Sequence, residues 1–184
     1  MLPFFLNAAY TENFNLPQGV VEVPKCVVQF QPWKGTRVKE SFGGRHSVSV
    51  NDEPMFAEVG VMTHLANSGW QARWLITKGR RNKEPLCLSE WIDDTYFKQQ
   101  HHPIDNAKVA AVLAAIAQAN GNSYEGCWDI IAWMNNQLLM VMVKRNNKDF
   151  VTTAQNKWLS AALSIGLTED NFLQVQWDFN PRCA

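Results

Sequence analysis

Several features that would point to a function directly are missing from this chain. The four cysteines, Cys26, Cys87, Cys127 and Cys183, are scattered and contain no C-x-x-C pair. That spacing fits neither a zinc site nor a disulfide framework, and the expectation is reduced thiols. Charge excess is missing as well: 17 Lys and Arg balance 17 Asp and Glu. No global field draws the protein toward nucleic acid or an anionic membrane, so any phosphate contact must come from a local cluster. No apolar run approaches the roughly 20 residues of a membrane span. The apolar start, MLPFFLNAAY, lacks a basic flank and is short for a signal sequence. These absences predict a cytoplasmic protein with no membrane partner. No G-x-x-x-x-G-K-[ST] occurs, and FGGRH at 42–46 has neither the spacing nor the following helix of a nucleotide loop, which argues against a nucleotide cofactor.

What is present suits one domain with an extension, since 184 residues can bury a core without metal or disulfide support. Eight tryptophans point first to a well-filled interior. Residues 1–50 read as an N-terminal β-rich extension, with alternating stretches such as VVEVPKCVVQF and RHSVSV. Residues 51–184 read as an α/β domain. A helix is expected from Asp52 as cap, with Pro54 in its first turn, to Asn67 and Gly69; its stripe is Met55, Glu58, Val61, Met62 and Leu65. The strand WQARWLIT follows, then a loop-rich segment at 84–104 and an Ala-rich helix at about 105–119. CWDIIAWM and QLLMVMVKR form a hairpin about Asn135-Asn136, VTTAQNKWLSAALSI forms a helix stopped by Gly166, and FLQVQWDF forms a last strand. Helix, strand, hairpin, helix, strand predicts a mixed β-sheet flanked by helices.

The hairpin carries the chemistry. A two-residue turn at Asn135-Asn136 makes paired residue numbers sum to 271, so Asp129 falls opposite Met142, with Lys144 two residues beyond on the same face. Glu58, in line with Val61, Met62 and Leu65, also points inward. Two inward carboxylates and a lysine are what a hydrolytic Mg²⁺ site uses: oxygen ligands for the ion, and a cation to position water or offset charge on the phosphorane. The plainer alternative is an Asp129–Lys144 ion pair that only satisfies itself. Gln155 also has two readings, a place beside the site or a capping box with Thr152.

These residues resemble a known family. WDIIAW around Asp129, then MVMVKR, then TTAQNKWLSAALSIGL look like the PD-(D/E)xK nuclease superfamily, in particular its VRR-NUC-like branch; FAEVGVMTHLANSGW is similar to the helix that carries that family's first acid. The resemblance spans roughly 54–178. It implies a restriction-endonuclease-like core and cleavage of DNA with Mg²⁺ or Mn²⁺. Glu58 becomes the helix acid, Asp129 the metal-binding aspartate, Lys144 the catalytic lysine and Gln155 the glutamine of the following helix. The family pattern asks for Glu-x-Lys on the second hairpin strand, where this chain has Met142-Val143-Lys144. A thioether is a poor ligand for a hard cation. Three explanations stay open: a carboxylate has migrated, with Glu125 and Asp149 as candidates; the chain is a non-catalytic scaffold that binds DNA or a protein; or the sequence is altered at this position in the protein as made. A further reading gives the extension a structural role, for example in a homo-oligomer.

Two basic clusters could follow a DNA backbone: Lys144, Arg145 and Lys148 on one side, and Arg80 and Arg81 within KGRRNK on the other. Solvated surface charge is the simpler account of each cluster taken alone. His101-His102 reads as loop, and His64 receives no role.

Overall fold

A computed structural model describes residues 6–36, 38, 39, 41, 44–77 and 84–180. Arg80 and Arg81 lie outside the described residues, as does Cys183. Among the described residues the chain forms an α/β fold in which nine strands share one mixed sheet with three α-helices. The elements run β1 (Tyr10–Leu16), β2 (Gly19–Pro32), β3 (Val48–Val50), β4 (Glu53–Met55), α1 (Ala57–Asn67), β5 (Gln71–Ile76) and β6 (Leu86–Leu88). They continue with α2 (Ala107–Ala119), β7 (Ile130–Met134), β8 (Gln137–Arg145), α3 (Thr153–Ser164) and β9 (Phe172–Phe179). No described helix is long and apolar enough to cross a membrane.

Across the sheet the order is β4-β3-β2-β9-β8-β7-β5-β6, with β1 hairpinned onto β2. β7 and β8 pair antiparallel with Ile130 opposite Val141 and Met134 opposite Gln137, the register expected from the tight turn. Asn135 supplies that turn with φ 55, a conformation asparagine tolerates better than most side chains. β9 then returns parallel to β8, a pairing that needs a crossover, and α3 provides it. Residues 10–32 are joined to the same sheet, since β2 lies parallel to β9 from Lys25 opposite Gln174 to Phe30 opposite Phe179.

The start of α1 differs from the sequence expectation. Asn51 and Asp52 both take positive φ, 53° and 62°, and form the tight turn of a β3–β4 hairpin instead of a helix cap. Met55 belongs to β4, and the helix begins at Ala57. The loop-rich stretch 84–104 contains the short strand β6.

The sheet is covered on both faces. On one, α1 packs Val61, Met62 and Leu65 with Ile130, Leu139, Val141 and Val143. On the other, α2 and α3 bring Leu113, Ile116, Trp158 and Leu159 to Ile131, Met140 and Met142. β8 therefore alternates strictly, with odd residues toward α1 and even ones toward α2 and α3, through position 143. Gly126, at φ 80, lets the chain leading into Asp129 lie against the first turn of α3, where any Cβ would meet the Ala154 carbonyl.

Candidate functional site

Where β8 runs past the start of β7, the sheet opens into a cleft of about 580 Å³ lined by Glu58, Asp129, Val143, Lys144, Arg145 and Lys148, among others. Asp129 sits at a bend just before β7, and its backbone carbonyl accepts the Leu75 N–H at 2.7 Å. The bend turns its side chain out of the strand alternation. Oδ2 accepts the Val143 N–H at 2.8 Å, so the carboxylate takes over a ladder bond that the diverging strand has left unmade. Surrounding protein raises the Asp129 pKa above its ordinary value; the Val143 N–H, Arg45 and Lys144 act in the opposite direction.

Glu58 occupies the first turn of α1, where the helix dipole favours an acid. It is 7% exposed and forms an ion pair with Arg45. Arg45 comes from the loop between β2 and β3, and its guanidinium lies 5.8 Å from the centre of the Trp74 ring. Arg45 also shares the cleft with Asp129, where its charge favours the ionised carboxylate. Nothing local in FGGRH marks this residue, and its partners are far along the chain.

The outer wall of the cleft is basic. Arg145 stacks over Trp177 and Phe179, with its guanidinium carbon 5.4 and 4.8 Å from their ring centres. Among the described residues its Nε has no hydrogen-bond partner; it lies 3.8 Å from Asp178 Oδ1, an ion-pair contact too long for a hydrogen bond. Asp149 fixes the turn after β8 by accepting the Arg145 N–H at 2.9 Å, and that turn brings Lys148 to the cleft. Lys144 lines the same space. Four cations (Arg45, Lys144, Arg145 and Lys148) thus face three acids (Glu58, Asp129 and Asp149) across the lining.

The structure brings Glu58, Asp129, Lys144, Arg145 and Lys148 together. It places Met142 and Gln155 elsewhere. Met142 is fully buried among Trp128, Met140 and Trp158 on the α2–α3 side of the sheet. The residue of β8 that meets the Asp129 carboxylate is Val143, and the next residue of the same alternation is Arg145. The register expected for the hairpin is the observed one, but the bend at Asp129 brings its carboxylate to the Val143 N–H instead of opposite Met142, while Lys144 still lines the cleft beside it. Gln155 closes a capping box instead: its Oε1 accepts the Thr152 N–H at 3.1 Å, while Thr152 Oγ1 accepts the Gln155 N–H at 3.2 Å. Of the acids considered as migrants, Asp149 lines the cleft and Glu125 does not.

Among the described residues, no three His, Cys, Asp or Glu side chains gather in a way that could hold a metal ion. Comparison with family models, with curated proteins and with solved structures returns no match for this chain.

Proposed function

We propose that this protein binds DNA through the cleft on a nuclease-like fold, gripping phosphates with side-chain cations and without hydrolysing them by the metal route. Support for the fold comes from the run α1, β5, hairpin β7–β8, α3, β9, with β9 parallel to β8. It repeats the helix, strand, hairpin, helix, strand order that accompanies the VRR-NUC-like resemblance, and Glu58 and Asp129 converge on it.

One observation carries the functional half. Opposite the Asp129 carboxylate stands Val143, whose side chain has no oxygen to offer, and Glu58 is already paired with Arg45. Mg²⁺ or Mn²⁺ asks for several oxygen ligands in a defined shell. Asp129 and Asp149 each already hold a backbone N–H and Glu58 is bound to a guanidinium, a set that does not fit that need. The same cleft is well equipped for anions, because Lys144, Arg145 and Lys148 line its wall and cations of this kind supply most sequence-independent DNA affinity.

A metal-dependent deoxyribonuclease is the second reading, favoured by the convergence of Glu58 and Asp129 on one cleft. A binding titration followed by fluorescence anisotropy, with chelator present and salt varied, tests the first reading, and Mn²⁺-dependent cleavage would favour the second. On the DNA-binding reading the chain binds in chelator, and Lys148→Ala lowers the salt slope of log Kobs by about 1 with a loss that is uniform across sequences. A slope and affinity unchanged in Lys148→Ala would remove the cleft from the account.

A further inference from the structure

The cleft that holds the Glu58 and Asp129 carboxylates also holds a guanidinium, that of Arg45, and a second cavity is lined by Arg45 and Asp129 together. Arg45 pairs with Glu58 and is the largest favourable charge acting on Asp129. Its other face rests on Trp74, itself packed in a cluster with Phe56 and Trp91 at ring-centre distances of 5.0 to 6.3 Å. The loop that brings Arg45 is held on its far side by the Trp33 N–H, which donates to the Ser47 carbonyl at 3.2 Å, and by His46 edge-on to Phe179 at 6.1 Å. Arg45 is thus held by an aromatic cluster beneath and by Glu58 beside it, while its side chain stays 42% exposed.

We propose that Arg45 is the resident cation of this cleft: it substitutes for a divalent ion beside Glu58 and Asp129, and makes phosphate binding there independent of metal. A guanidinium suits the position because it stays charged, presents five donors in a planar fork, and can hold a carboxylate on one edge and a phosphate oxygen on another. Its charge neutralises the buried acids that would otherwise repel DNA. The proposal rests on the cleft being the DNA site, and it adds what that reading leaves open, namely why an acidic pocket in a phosphate-binding cleft needs no metal.

The same arrangement hides a latent cation site. With the guanidinium removed, Glu58 and Asp129 become two carboxylates at a shared opening, and a hard divalent ion is their natural counter-charge. A purely structural Arg45 predicts something else: its removal would weaken the fold and leave metal affinity unchanged.

The test is a Mn²⁺ titration of the full chain without nucleic acid, read by the loss of the free-ion EPR signal, with near-UV circular dichroism as the check on folding. The unaltered chain should leave the signal unchanged, Arg45→Met should bind one ion, and adding Asp129→Asn to Arg45→Met should abolish that binding. Arg45→Gln carries the same expectation and serves if the methionine variant does not fold. Two results overturn the proposal: Mn²⁺ binding by the unaltered chain that Asp129→Asn removes, or a folded Arg45 variant that binds no Mn²⁺. Failure of DNA binding is a separate result, since it would sink the proposed function without touching the metal titration.

Discussion

Met142 and Val143 are neighbours on β8, yet they belong to different parts of the molecule. Met142 is sealed in the α2–α3 core with Trp128 and Trp158. Val143 borders the cleft, and its N–H is held by Asp129. A strand's period of 2 makes such a division automatic, so a one-residue shift in assigning the facing side exchanges a core position for a site position. The comparison shows that the chemistry of this cleft is decided less by which residues the hairpin contains than by the bend that aims Asp129.

The largest expected effect comes from placing the same carboxylate at each of these two neighbours. Met142→Glu would bury an unpaired carboxyl in an apolar core, and urea unfolding should show a loss of more than about 4 kcal/mol. Val143 is buried too, on the α1 side, but it borders a cleft lined by cations, so Val143→Glu should cost less than Met142→Glu, about 2–3 kcal/mol. Similar losses at both positions would mean that the two faces are not distinct.

Asp129 gives a smaller effect with a built-in control. Asp129→Ala leaves the Val143 N–H without its acceptor, at a cost of about 1–3 kcal/mol. Asp129→Asn keeps an acceptor and removes a charge that burial disfavours. The folded-state pKa is raised above the ordinary 3.8, so the folded form takes up a proton more readily than the unfolded chain. The stability linked to that proton is fully present below 3.8 and is lost as pH rises through the raised value. Asp129→Asn should therefore exceed the unaltered chain in stability at neutral pH, with the difference closing as pH falls to the ordinary carboxylate range. Denaturant melts across that range measure it, and a gap that widens toward acid would reverse the assignment.

Gln155→Ala should produce the smallest change, about 1 kcal/mol from the lost capping box, with DNA affinity untouched. An affinity loss in a folded Gln155→Ala would return that residue to the site.

Much of the frame was legible in the sequence. α2, α3, β8 and β9 follow strong periodic stretches with clear stops, and the Asn135-Asn136 turn fixed the hairpin register. The capping-box alternative for Gln155 also came from local spacing. The start of α1 was harder to read because Asn51 and Asp52 suit a helix cap and a positive-φ turn equally well, and only the pairing of β3 with β4 decides between them. The bend at Asp129 leaves no mark in WDIIAW, since it depends on Leu75 drawing the backbone one way and Val143 the side chain the other. Arg45 was invisible for a similar reason. Its roles come from Glu58, Trp74 and Asp129, none of them within ten positions along the chain.

The most direct test of the account compares DNA affinity and DNA integrity for the unaltered chain in chelator and in Mn²⁺, on single-stranded, duplex and branched substrates. Binding of equal strength in both conditions with no cleavage is the predicted result. Mn²⁺-dependent cleavage that disappears in Asp129→Asn would contradict it, and would mean that Arg45 yields its place to a metal.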